Sequence, residues 1–360
     1  LHDFQRTAAD NIRALVQRGE GRGLLSLPTG AGKTRTAVQA LVESMADGEI
    51  LGPVLWVAQT EELCEQAVSA WAENWRAHGS RERLRVSRLW SGNEAAESDI
   101  AHQVVVATDA KLGVVIERGD GSYDWLSKAG AVVIDEAHSA VSPAYTTILD
   151  WLGMGRNQNR VPIIGLSATP FRGTSEVETE RLVKRFGGHR FDDFESDPYP
   201  MLQDMGVLSN VRHVVLSGSN VELTPKELEH LKRTRLMPPS ALERIGVDAE
   251  RNQAILDSIA DLPEDATVLL FATSVAHAEL LAGLLSLEGI PAQAVSGRTP
   301  RGARRHYIER FRAGEIRVLT NYGVFTEGFD APAVRAVYVA RPTYSPNLYQ
   351  QMIGRGLRGP

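Results

Sequence analysis

The segment Pro28-Thr29-Gly30-Ala31-Gly32-Lys33-Thr34 holds the residues best suited by type and spacing to chemistry. It lies between the apolar run Gly23–Leu27 and a stretch where Val38, Leu41, Val42 and Met45 recur at helical spacing. A strand that ends in a glycine-rich loop and continues as a helix is what a phosphate cradle requires. Glycines let successive backbone N–H groups curl around an anion, and the helix N-terminus faces it. Lys33 supplies a point charge for β and γ oxygens, and the Thr34 hydroxyl can ligate Mg²⁺. Leu27 stands where the general G-x-x-x-x-G-K-[ST] pattern begins with glycine, a departure that narrows the class.

A second group follows the buried-type run Ala131–Ile134, where Asp135 and Glu136 fall at the carboxyl end of a strand, the side on which open α/β sheets bind ligands. Asp135 can hold Mg²⁺ through its water shell, and Glu136 can orient and deprotonate a water attacking a γ-phosphate. Taken alone these residues also suit a solvated helix start; downstream of a phosphate loop they read as its partners. Near the N-terminus the Gln5 amide can read an adenine edge bidentately, with Phe4 beside it as an apolar neighbour.

Apolar strands alternating with amphipathic helices are needed to position these groups. Candidate strands are Gly23–Leu27, Val54–Ala58, Val104–Thr108, Ala131–Ile134 and Ile163–Ser167, then Val268–Thr273, Pro291–Val295, Arg317–Thr320 and Val334–Ala340. The rhythm predicts an α/β protein of parallel sheets covered by helices, in two tandem domains, as 360 residues also suggest. Domain 1 is expected over 1–216, a polar linker over 217–250 and domain 2 over 251–360. Within the linker, Thr224-Pro225-Lys226-Glu227 reads as a capping box opening a short helix. The chain starts without Met and stops just after a functional-looking segment, so it is expected to be an excerpt of something longer.

Composition bounds the function classes. Hydrophobic residues make up 43% of the chain without any run near the roughly 18 that a membrane helix needs, and no secretory leader opens it, so a soluble cytoplasmic protein is expected. The single cysteine, Cys64, excludes an internal disulfide, and the nine His lack ligand spacing, so no structural zinc is expected. The formal charge of −6 is uneven: residues 251–360 hold 12 Arg and no Lys against 10 acidic residues, and residues 301–317 carry six Arg against two Glu. Phosphate binding needs such a local stripe rather than a basic total, although a solvated helix face also explains residues 301–312.

With Gly165–Arg172 (GLSATPFR), Val268–Ser274, Leu319–Pro332 (LTNYGVFTEGFDAP) and Tyr349–Arg358 (YQQMIGRGLR) following in order, the chain resembles the DEAH-box superfamily 2 helicases along nearly its whole length. Its motif style is similar to the RadD-like and XPB-like groups and to restriction-enzyme motor subunits. The resemblance implies two RecA-like (P-loop NTPase) domains that hydrolyse ATP with Mg²⁺ between them while gripping nucleic acid, DNA more than RNA. It implies phosphate-loop roles for Pro28, Thr29, Gly30, Ala31, Gly32, Lys33 and Thr34, and coupling roles for His138, Ser167 and Thr169. Gly328, Asp330 and Gln351 would contact ATP, and Arg355 and Arg358 would act as arginine fingers on the spreading phosphoryl charge. Nucleic-acid backbone contacts are expected from Gln59, Thr60, Thr108, Thr273 and Thr320, each Thr being equally suited to cap a helix. An RNA helicase and a non-catalytic scaffold remain the rival readings, and partner subunits or further domains in a larger assembly are allowed.

Overall fold

The computed structural model describes the chain apart from residues 154–160, 169–181, 183–184, 195–196, 217–220, 235, 325–333, 344–348, 350–351 and 355–360, and apart from the side chains of Ser139, Val141 and Arg301. Two compact units divide between Leu202 and Gln203, N-terminal to the expected limit at 216.

The first unit runs α1 (Asp3–Arg18), β1 (Arg22–Ser26), α2 (Lys33–Ala46), β2 (Val54–Ala58), α3 (Glu61–His78), β3 (Leu84–Leu89), β4 (His102–Thr108), α4 (Asp109–Arg118), β5 (Ala131–Ile134), α5 (Pro143–Trp151) and β6 (Ile163–Ser167). A short helix α6 (Tyr199–Asp204) crosses the division. Local chemistry sets the helix ends. Ile12, Leu15 and Val16 repeat along the buried face of α1, and Gly19 closes it in the left-handed conformation at φ 71°. The Thr60 hydroxyl caps α3 by accepting the Leu63 N–H, with Glu61 and Glu62 in the first turn beside the positive end of the helix dipole.

All pairings in the six-stranded sheet are parallel, in the order β1-β6-β5-β2-β4-β3. The carboxyl ends of the strands therefore open on one edge. β2 is buried at every position, because alternate residues enter the cores on both faces. Leu55 and Val57 join Val105, Val132, Ile134 and Ile163 against α4 and α5, whereas Trp56 meets Trp71 of α3 edge-on at 6.4 Å. β3 has no counterpart among the expected strands. Its sequence LRVSRL exposes Arg85 and Arg88, as suits the outer strand of a sheet, where charge discourages further pairing.

The second unit contains α7 (Pro225–Thr234), α8 (Pro239–Val247), α9 (Ala249–Ala260), β7 (Thr267–Phe271), α10 (Val275–Leu287), β8 (Ala292–Ser296), α11 (Arg301–Arg312), β9 (Val318–Tyr322) and β10 (Val334–Val339). Its sheet is parallel in the order β10-β7-β9-β8. One face packs Val268, Leu270 and Val318 on α9 and α10; the other packs Leu269, Phe271 and Leu319 against Phe311 and Met352. The segment expected as a linker is structured. The capping box forms, with the Thr224 N–H and hydroxyl donating to Glu227 Oε2 at 2.9 and 3.0 Å. Glu227 also receives the Arg244 guanidinium at 2.8 and 2.9 Å, latching α7 to α8, and α8 packs on α9 and α10.

Candidate functional site

At the end of β1 the buried Leu27 leads into the glycine-rich loop, and α2 starts at Lys33. Gly30 and Gly32 have φ of 91° and 84°, values that side chains rarely adopt, so these two positions require glycine. The Ala31 N–H donates to the Pro28 carbonyl at 3.1 Å and closes the loop. No side chain caps α2, which leaves its first N–H groups directed at whatever sits over the loop. With the helix dipole behind them, these amides suit an anion. Lys33 Nζ donates to the Leu27 carbonyl at 3.2 Å, and an ammonium with three donors can share that bond with a phosphate oxygen. Thr34 follows in the first turn.

Gln5 joins this loop from α1. Its Nε2 donates to the Ala31 carbonyl at 2.9 Å, and its Oε1 accepts the His2 N–H at 2.9 Å as half of a capping box. One donor and one lone pair of the amide are thus committed; the second of each remains for an adenine edge. The Phe4 ring packs on His2 and on Phe194.

Two strands away, β5 delivers Asp135 and Glu136, both buried. The Asp135 N–H donates to the Val57 carbonyl at 2.8 Å, so the sheet grips the chain one residue beyond β5. Asp135 Oδ1 in turn accepts the Glu136 N–H at 3.0 Å. Glu136 has φ 47°, a left-handed conformation costing roughly 1–3 kcal/mol for a side chain of this kind, and the surrounding contacts hold it there. Its Oε2 lies 3.3 Å from His138 Nδ1. Between the two groups, β6 ends at the fully buried Ser167, whose carbonyl accepts the Leu27 N–H at 3.2 Å. One sheet edge therefore carries the glycine loop, a lysine, Ser167 and two carboxylates.

The hydroxyl of Thr34 and the carboxylate of Asp135 are hard oxygen donors, the kind Mg²⁺ takes when phosphate oxygens and water complete its shell. Among the described residues no group of three or more His, Cys, Asp or Glu could hold a metal by itself. No described helix is long and apolar enough to cross a membrane.

The residues expected to hold a nucleic-acid backbone divide. Thr60 and Thr108 stand at the carboxyl ends of β2 and β4 and cap α3 and α4 by accepting the Leu63 and Lys111 N–H groups at 3.3 Å. The half-buried Thr60, preceded by the half-buried Gln59, keeps its hydroxyl hydrogen for a phosphate, whereas Thr108 is buried. Thr273 and Thr320 are placed differently. Thr320 is fully buried, and its hydroxyl donates to the Ala278 carbonyl at 2.7 Å; Thr273 is buried with its hydroxyl 3.0 Å from His277 Nδ1. Both hydroxyls are spent on packing α10 against the sheet.

His277 belongs to a network that the sequence did not reveal. Its Nδ1 accepts the Thr273 N–H at 3.2 Å, which places the proton on Nε2, 3.0 Å from Asn252 Oδ1; Asn252 Nδ2 then donates to the Gly246 carbonyl at 2.9 Å. Burial first, then the nearby Arg251 charge, brings the His277 pKa down to about 4. Part of the basic stripe is used internally: Arg305 pairs with Glu309, Arg310 with Glu315, and the Arg317 guanidinium caps α9 at the Ile259 and Leu262 carbonyls. Thr169, Gly328, Asp330, Gln351, Arg355 and Arg358 lie outside the described residues.

Residues 1–172 match the Type III restriction enzyme res subunit, and residues 250–359 match the helicase conserved C-terminal domain. IRC3 of Saccharomyces cerevisiae, a protein named as an ATP-dependent helicase, is 27% identical over 99% of this chain and 49% of its own length. The chain thus spans about half the length of that relative. Among solved structures, the DNA-bound Type ISP restriction-modification enzyme LlaBIII superposes with a TM-score of 0.64, at 17% identity, over 100% of this chain and 27% of that one. Dbp5 of S. cerevisiae, bound to RNA and ADP BeF3, gives 0.59 at 17% identity over 94% and 78%. These two likenesses establish the RecA-like fold of both units. With the res-subunit and helicase C-terminal domains in this order, the chain belongs to the superfamily 2 helicases, a family of ATP-hydrolysing enzymes.

Proposed function

We propose that this chain is the ATP-driven core of a DNA helicase or double-strand DNA translocase. The observation that carries the reading is the shared sheet edge on which the phosphate loop, with Lys33, lies two strands from Asp135 and Glu136. In this reading Lys33 and the first amides of α2 bind the triphosphate. Thr34 and Asp135 would hold Mg²⁺, which would supply neutralisation of phosphate charge. Glu136 takes the proton of the attacking water, and His138 orients its carboxylate. Stabilisation of the developing charge is assigned to Arg355 and Arg358. Gln59, Thr60 and Thr108 hold backbone phosphates without reading bases, as a stepping motor requires.

DNA is favoured by the GLSATPFR and GRGLR motif forms and by the fold shared with a DNA-bound restriction enzyme. An RNA substrate is the second reading, supported by the fold shared with RNA-bound Dbp5. ATPase rates with single-stranded DNA, duplex DNA and RNA, each at two salt concentrations, separate them. Stimulation by DNA above that by RNA, weakening with salt, is expected; stimulation by RNA alone overturns the DNA reading.

A further inference from the structure

The phosphate loop is braced from a side that none of the motifs covers. β1 is the terminal strand of its sheet and pairs with β6 on one edge. On its other edge residues 189–191 begin a parallel ladder. The Leu24 N–H donates to the His189 carbonyl and the Phe191 N–H to the Leu24 carbonyl, both at 2.9 Å. The next rung of such a ladder would join the Ser26 N–H to the Phe191 carbonyl. That carbonyl is taken by Asn11 of α1, whose Nδ2 donates to it at 3.0 Å. The Ser26 N–H turns instead to Asp192 Oδ2, at 3.0 Å. A carboxylate has replaced a backbone acceptor two residues before the loop, and its other oxygen is held by Arg190.

The replacement is costly, because a carboxylate whose side chain is 1% exposed has lost most of its hydration. Closing the sheet edge does not call for it, since the neighbouring carbonyl would serve. What the exchange does fix is the peptide between Leu25 and Ser26, directly before the residue that leads into the loop. The Leu27 N–H donates to the Ser167 carbonyl, and the Leu27 carbonyl accepts Lys33 Nζ. The same segment also reaches the far side of the loop: the Phe194 ring packs on Phe4, next to Gln5, which holds the Ala31 carbonyl. Phe191 anchors the segment in the space above Gly23, where a Cβ would come within 2.2 Å of the ring.

We propose that Asp192 is a positioning residue for nucleotide binding: through the Ser26 N–H it orients the peptide that enters the phosphate loop and so sets the fit of the loop to a di- or triphosphate. The inference rests on the reading of residues 28–34 as that loop.

The test measures Mg·ADP affinity of the full chain without nucleic acid, and KM and kcat for ATP with saturating single-stranded DNA. Asp192→Ala is expected to weaken ADP binding and raise KM about tenfold, the loss of one charge-assisted hydrogen bond, with kcat within about threefold of wild type. Asp192→Asn keeps an acceptor for Ser26 and is expected to restore both values to within about threefold. Rescue by Asn separates positioning from a general loss of fold. Equal weakening in both variants, or wild-type nucleotide affinity in Asp192→Ala, overturns the proposal. Should the Ala variant not fold, Asp192→Glu displaces the acceptor by one methylene: raised KM supports the inference, and wild-type KM overturns it. Lys33→Ala is measured in parallel. Wild-type hydrolysis there sinks the phosphate-loop reading itself, whereas an inactive Lys33→Ala beside unaltered Asp192 variants sinks the positioning role alone.

Discussion

The Gln5 side-chain amide and the Ala31 carbonyl lie 2.9 Å apart, so α1 is fastened to the middle of the phosphate loop. Gly32 makes the approach possible, because a Cβ there would meet Gln5 Nε2 at 2.5 Å. Gln5→Ala is therefore expected to release the loop and raise KM for ATP about tenfold, with a smaller effect on kcat. Gln5→Glu should be worse, since it sets a carboxylate against the Ala31 carbonyl. Gly32→Ala suffers both the clash and φ 84°, so Gln5→Ala should rescue it only in part. Steady-state ATPase kinetics on the four variants test the arrangement, and full rescue would show that space alone dictates glycine at position 32.

Glu136 combines a buried carboxylate, a His138 neighbour and a left-handed backbone, a cluster of costs that only function repays. Glu136→Gln preserves the shape and is expected to lower kcat by at least about 10², the usual contribution of a positioned base, while ATP still binds. Glu136→Gly should be equally inactive yet no less heat-stable than Glu136→Gln, because glycine adopts φ 47° without strain. Thermal melts compare the two variants; a lower melting temperature for the glycine variant contradicts the strain argument.

The Glu227–Arg244 latch makes a separate claim about the segment between the sheets. Hydrogen bonds from the Arg244 guanidinium, then from Ser240 and Thr224, hold the Glu227 carboxyl well below the ordinary carboxylate range. A depressed folded-state pKa means that this contribution is complete above the ordinary pKa near 4.5 and fades as pH falls below it. Glu227→Gln should accordingly lower the melting temperature at pH 7 more than at pH 4. A difference that does not shrink with acid is evidence against the latch.

How much of this was legible in sequence follows from what each element asks of its residues. β1, β2, β5, β6 and β7 are buried on both faces, so they show as uniform apolar runs that composition alone locates. β3 escaped because it is an outer strand carrying Arg85 and Arg88, charges that read as loop. Residues 225–247 read as linker because α7 and α8 are short and polar; what structures them is Glu227 meeting Arg244 across 17 positions. The glycine loop was readable because only glycine suits its φ angles. The packing of Thr273 and Thr320 against α10 was not legible, because a hydroxyl at a strand end suits a ligand or a neighbouring helix equally well in sequence. Asp192 left no signal, since its role depends on Asn11 having claimed the Phe191 carbonyl.

The buried His277 makes the second unit sensitive to mild acid. In the unfolded chain a histidine takes its proton near pH 6.5, whereas His277 in the fold resists until about pH 4. Between these values the unfolded state binds more protons than the folded one, so stability falls as pH falls, by up to about 1.4 kcal/mol per pH unit and about 3 kcal/mol in all. The stability is complete above pH 6.5 and lost on the way to pH 4. Two neighbours of the ring favour its neutral form: the Thr273 N–H needs Nδ1 as an acceptor, and Arg251 adds an unfavourable charge, while Asn252 Oδ1 accepts the Nε2 proton in either form. Urea unfolding of the chain between pH 7 and pH 5 is expected to show this slope, with His277→Gln starting less stable and losing less over the same interval. The coupling should extend past the ring, because Asn252 ties it to the Gly246 carbonyl and a Cβ on Gly246 would lie 2.7 Å from the Thr273 hydroxyl. Asn252→Leu, which removes the Nε2 partner and the Gly246 contact together, should destabilise at pH 7 by about 1–3 kcal/mol and leave α8 the first element to exchange its amides. A pH-independent difference between wild type and His277→Gln would show that the ring takes its proton in the fold as it does in the unfolded chain.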